Sequence, residues 1–133
     1  MRRNKILSFM LVAVCAVLIS GCSINAQRGS LKVDKALVGH WINSNGSPDY
    51  YIADKEFIKV EKDGSTTNMT YTISKSNDSD NTISISVSNP NGSVQDEDIK
   101  FSTDKKMMTE TAYLFGVKIS EANYDYVDRK TKP

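Results

Sequence analysis

Cysteine is nearly absent from this chain: Cys15 and Cys22 are the only two in 133 residues, and His40 is the single histidine. Both thiols fall within the first 22 residues, so the remainder has no internal disulfide, no thiolate metal site and no cysteine nucleophile. One imidazole builds no zinc site without other strong ligands, and there is no Gly-x-Ser-x-Gly elbow for it to serve. An excess of charge is missing as well. With 17 Lys+Arg against 16 Asp+Glu, the chain lacks the dense basic face that nucleic acid demands. Its one long apolar run, Ile6 to Ile19, has 14 residues and is short for a bilayer span. No long amphipathic helix and no internal repeat stand out.

What is present begins with an address. Arg2, Arg3 and Lys5 precede the apolar run, which has the length of a signal-peptide core. The run ends in Leu18-Ile19-Ser20-Gly21-Cys22, and this segment resembles the lipobox of bacterial lipoproteins. The resemblance implies cleavage between Gly21 and Cys22, with Cys22 becoming the lipid-bearing first residue of the mature chain. The thiolate is the group nucleophilic enough to take a diacylglyceryl chain as a thioether, and an N-acyl chain on Cys22 completes the anchor. Several acyl chains at about 0.8 kcal/mol per buried methylene hold a protein on a membrane, where a single chain is marginal. Three segments are therefore expected: a cleaved signal peptide over 1–21, a lipidated cysteine and flexible tether over 22–36, and one domain over 37–133. Removing the signal leaves 14 basic and 16 acidic side chains, a net charge of −2. The lipid, not the protein's charge, would then do the anchoring, on the extracytoplasmic face of a bacterial membrane.

The tether is polar, with a short helical turn around Leu31 to Leu37 as its one structured element. Beyond it the pattern is strands and turns. Asn45-Gly46, Asp63-Gly64 and Asn91-Gly92 tolerate the positive φ angles that tight hairpins require. Met69, Tyr71 and Ile73 alternate with polar residues, and Ile83, Ile85 and Val87 alternate with Ser84, Ser86 and Ser88. A period of two predicts sheet with one buried face. Further strands are expected at Tyr50–Ile52, Glu56–Glu61, Ile99–Ser102, Met107–Leu114 and Asn123–Arg129, with Ser76–Asn81 a loop. Seven or eight short strands predict an all-β domain: a small antiparallel up-and-down barrel, with a small β-sandwich as the alternative. The barrel leaves no open edge in a secreted domain without disulfides.

At the first strand stands Leu37-Val38-Gly39-His40-Trp41, and its Gly-x-Trp resembles the opening motif of lipocalin and calycin barrels. That resemblance implies a tryptophan, Trp41, plugging one end of the barrel beneath a cation from the last strand, for which Arg129 is the candidate and Lys130 the second. A cation over an indole face contributes about 0.5–2 kcal/mol. The region from Val38 to Arg129 is shorter than an ordinary lipocalin and resembles the minimal lipocalin-like domains of small bacterial lipoproteins. A barrel so short can be filled by its own side chains.

Chemistry is sparse. Asp78-Ser79-Asp80 begins like a calcium loop, but Ile83 occupies the glycine position and Asn89 the bidentate glutamate position. Asp96-Glu97-Asp98 reads as a solvated turn or edge guard. His40 is expected to point outward from the first strand. Neighbouring tyrosines on a strand face opposite ways, so Tyr50 and Tyr51 are the candidate partner face, with one ring in water. The expectation is a non-enzymatic lipoprotein without metal or soluble cofactor, an interaction or accessory module of inhibitory or exclusion type, bound to the membrane and to another surface or secreted protein. The alternative is a lipocalin-like carrier of a small apolar ligand.

Overall fold

A computed structural model describes residues 28–133; the signal segment, Gly21 and Cys22 lie outside the described residues. A 3-10 turn at Arg28–Ser30 and a helix α1 (Val33–Leu37) precede eight strands. These are β1 (Gly39–Asn43), β2 (Asp49–Ile52), β3 (Glu56–Val60), β4 (Thr66–Asn77), β5 (Thr82–Ser88), β6 (Val94–Phe101), β7 (Met107–Leu114) and β8 (Val117–Asp128). Each strand pairs antiparallel with the next, and β8 returns to β1 through Asn43↔Tyr124 and His40↔Asp128. The fold is therefore an eight-stranded up-and-down closed barrel, the preferred of the two architectures the strand pattern allows, and it is not a sandwich. Closure leaves the sheet without a free edge strand, although the ends of β4 and β8 run past their β3 and β1 neighbours.

Local chemistry sets the register. On β5, Ile83, Ile85 and Val87 are buried, while Ser84 and Ser86 face out and donate to Asp98 and Asp96 on β6, each at 2.6 Å. A one-residue slip would break both bonds and turn the isoleucines into water. All three expected hairpin turns occur. A fourth, Phe115-Gly116, joins β7 to β8 with φ of 52° and 76°. Positive φ at both central residues is the geometry whose twist matches a hairpin.

Three strands depart from expectation. β6 starts at Val94 rather than Ile99, and β8 starts at Val117 rather than Asn123. On β4 the expected buried face fades, because Ile73 is 45% exposed. The last β3–β4 pair is Glu56↔Thr70, so the following residues of β4 have lost that neighbour.

The expected tether is ordered from Arg28 onward. Val33, Ala36 and Leu37 are buried in the barrel core, so α1 is a stopper and not part of a free linker. Asp78 Oδ1, in the β4–β5 turn, accepts the Val33 backbone N–H at 2.8 Å and so satisfies a donor at the helix start. Asp78-Ser79-Asp80, which lacks the calcium-loop glycine and glutamate, thus begins with a latch for α1.

Candidate functional site

The two ends of the barrel differ. At the α1 end, Trp41 is fully buried and its Nε1 donates to the Leu37 carbonyl at 2.9 Å. The cation above the indole is Arg28, 5.1 Å from the Trp41 ring and 3.3 Å from Tyr126. Arg28 also donates to the carbonyls of Lys105 (2.6 Å) and Ala36 (2.7 Å). The last strand therefore supplies the Tyr126 ring and not the cation. Arg129 lies exposed past the end of β8, and Lys130 is exposed beside Asp128. Gly39 opens β1 against Tyr126 and Asp128 of β8. A Cβ there would stand 2.7 Å from the Tyr126 ring and 2.8 Å from the Asp128 carbonyl, at φ 141°.

The tyrosine pair divides as the period of two requires, but only one member reaches the outside. Tyr50 points into the barrel, 7% exposed, stacked at 4.6 Å on Tyr124, and is unavailable to a partner. Tyr51 faces out and lies flat on His40, with ring centroids 4.1 Å apart. His40 Nε2 is 3.3 Å from Asp49 and Nδ1 is 3.9 Å from Asp128, so its nitrogens face carboxylates and not a nucleophilic hydroxyl. Among the described residues no group of three His, Cys, Asp or Glu side chains is placed for a metal ion.

The feature that sequence reasoning missed lies at the other end. Glu97 and Glu110 are each only 5% exposed, inside the barrel on β6 and β7. Glu97 stands opposite Ala112 and Glu110 opposite Ile99, so the two are diagonal neighbours on adjacent strands. Gln95 Nε2 donates to Glu97 Oε1 at 3.0 Å. Glu97 Oε2 and Glu110 Oε2 are buried without any hydrogen-bond partner. Burial pushes Glu97 up to about 7. Burial first, and the Glu97 charge second, push Glu110 up to about 8, against the pull of Lys59 and the Tyr50 hydroxyl. The Tyr50 and Tyr124 hydroxyls are pushed upward by burial and then by Glu110, so both stay protonated. Asp96-Glu97-Asp98 is thus a strand segment and not a turn, with its aspartates out and its glutamate in. The signal was available: continuing the inward period backward from Phe101 and Ile99 lands on Glu97 and Gln95.

A cavity of about 200 Å³ opens beside Glu97, lined by Lys59, Thr67, Met69, Asn89, Gln95 and Glu97, with Tyr50, Phe57 and Val87 as its aromatic and aliphatic walls. A larger and more open groove of about 490 Å³ runs over the outer face of β5 to β8. It has no unpartnered buried group, and its Ser84 and Asp98 bond each other.

On the rim at the same end, the β7–β8 hairpin carries exposed apolar side chains. Leu114 is 39% exposed, Phe115 97%, Val117 65% and Ile119 51%. A bulky residue at positive φ is a backbone outlier, and here it holds a phenyl ring in water. No protein-family model matches this sequence, and no curated protein or solved structure matches it either.

Proposed function

We propose that this chain is a non-enzymatic interaction lipoprotein, held on the extracytoplasmic face of a bacterial membrane by acyl chains on Cys22, which engages a protein partner through the β7–β8 hairpin. The observation that carries it is Phe115. A fully exposed aromatic ring on a strained turn costs stability and solubility, and an apolar slot on a partner would recover both. The placement supports it too. Arg28 and α1 fix the chain's approach at the closed end, and strands of an up-and-down barrel put the β7–β8 turn at the opposite end. A tether over 22–27 reaches at most about 20 Å, so the lipid would hold the closed end near the bilayer and turn Phe115 outward. The lipobox resemblance supports the anchor.

The lipocalin-like part of the resemblance is retained for the architecture alone. A carrier of a small apolar ligand is the weaker reading, because Trp41, Tyr50, Phe57 and Tyr124 fill the barrel and the cavity at its mouth is lined by the polar Lys59, Gln95 and Glu97.

Two variants test the proposal. Cys22→Ala should lose lipid labelling and membrane retention; unchanged labelling would refute the anchor. Phe115→Asn should abolish crosslinking to the dominant surface partner while leaving the barrel folded, since Asn-Gly favours the same turn. An unchanged crosslink would remove the hairpin as the contact.

A further inference from the structure

A buried carboxylate pair inside a barrel is expensive. Each uncompensated polar group destabilises the fold, and a charge does so more. Apolar side chains at both positions would remove that cost and continue the β6 and β7 core pattern of Ile99, Phe101, Met108 and Ala112. The chain instead places two glutamates there, leaves one oxygen of each unpartnered, and leaves a cavity bordered by Glu97.

We infer that the open mouth of the barrel is a binding site for a small primary ammonium group, which enters past Lys59 and Gln95 to bond the free oxygen of Glu97, with the Glu110 carboxyl on the next strand adding its charge behind it. The chemistry is specific in three ways. First, a primary ammonium has three N–H donors and no acceptor. One meets the unpartnered oxygen of Glu97, the carboxyl that borders the cavity. A second finds the Gln95 carbonyl, because Gln95 uses Nε2 to hold Glu97 Oε1. Second, a hard divalent cation wants six or more oxygens, and the described residues offer no such grouping. Third, the walls are Phe57, Tyr50, Met69 and Val87, which suit an alkyl stem and put ring faces near the charge. About 200 Å³ equals roughly six or seven waters at about 30 Å³ each, room for a short alkyl chain. The chain's own ammonium nearby does not fill the site, for Lys59 Nζ is held by Glu61 at 2.6 Å.

The pH dependence has a fixed sign. The titratable groups are Glu97 on β6, Lys59 on β3 and Tyr50 on β2 at the cavity wall, with Glu110 on β7 and Tyr124 on β8 behind them. The two phenols stay protonated, and the glutamates are the groups pushed up into the neutral range. Both are largely protonated in mild acid, and an ammonium ligand must expel those protons. Affinity should therefore rise with pH.

Titration calorimetry on the full-length protein in detergent would test this, with n-butylammonium as probe and tetramethylammonium as the control that lacks N–H donors. The expected result is binding at least about ten-fold tighter near pH 8 than near pH 6, with proton release, and none of the control. Glu97→Gln should weaken butylammonium at least about ten-fold while its melting temperature holds or rises. Binding that is flat or falls with pH, binding unaffected by Glu97→Gln, or no binding at millimolar probe would each overturn the inference. The last would leave a shared proton or a water as the carboxyls' partner. Nα-acetyl-lysine amide, run beside butylammonium, separates the two sources of the group. Comparable affinity points to a lysine on a partner, and exclusion of the amide points to a free amine; either supports the ammonium site.

Discussion

At the α1 end of the barrel the strong polar groups have partners. Arg28 donates to two carbonyls, the Lys105 ammonium donates to the Gly29 carbonyl at 2.6 Å, and Trp41 and the Val33 amide each have an acceptor. Rings pack around them, with Trp41 5.3 Å from Tyr126 and 5.9 Å from Phe101. At the mouth, a few residues along the same strands, two carboxyls are buried with free oxygens and a phenyl ring stands in water. One chain solved the satisfaction problem at one end and left it open at the other. Sequence limits do not explain that, since the same residue types are available to both ends. The difference marks the closed end as the source of stability and the open end as the place where stability is spent.

The comparison breaks first at Trp41. Trp41→Ala removes the largest fully buried side chain of the domain and a buried hydrogen bond, and should cost about 3–5 kcal/mol. Urea unfolding measures it through the midpoint. A cost under about 1 kcal/mol would mean that the closed end is not what holds the barrel together. Gly39→Ala comes next, at roughly 2–4 kcal/mol, because the new methyl collides with the Tyr126 ring and the Asp128 backbone at a φ that alanine resists.

The mouth should show itself through pH. Both glutamates have folded values raised above the ordinary carboxylate value, so the folded state binds more protons than the unfolded chain between about 4.5 and their folded values of about 7 and about 8. Their contribution is fully present below the unfolded value and is lost as pH rises through the folded ones. Stability should fall from about pH 5 toward pH 8, at a limit of about 1.4 kcal/mol per pH unit for each carboxyl. Urea midpoints across that range measure it. Glu110→Gln should flatten the slope and stabilise the protein at the alkaline end. A profile that instead rises steadily to pH 8 would place the titrating groups elsewhere.

How far the sequence discloses this molecule follows the same division. The core strand β5 and three Asn-Gly or Asp-Gly turns announce an all-β domain, because apolar alternation and turn chemistry are local signals, while barrel against sandwich rests on edge closure and the Gly39-x-Trp41 resemblance. Gly39 and Trp41 are legible as a pair. Arg28 is not, since its hydrogen-bond partner Lys105 lies 77 residues away and nothing local marks it. Glu97 hid the first half of β6, because a polar residue on an inward position looks like a turn. The start of β8 hid behind a bulge at Ala112/Tyr113, which breaks the period just where Val117 and Ile119 stay exposed. The features that local rules misread are concentrated at the open end, where a functional requirement is expected to override them.

The smallest effect is the sharpest on that point. Phe115 sits at a position where Asn or Gly is at home, with φ 52° ahead of Gly116 at φ 76°. Nothing in the fold rewards the phenyl ring, which is 97% exposed. Phe115→Asn should therefore raise stability, by about 0.5–1 kcal/mol, as the side chain then suits the left-handed backbone. Most substitutions destabilise, so a gain in the urea midpoint, together with loss of the crosslinked partner, would separate the two demands on this turn. Partner loss with lowered stability would instead make Phe115 a structural residue, and the open end would then resemble the closed one more than its exposure suggests.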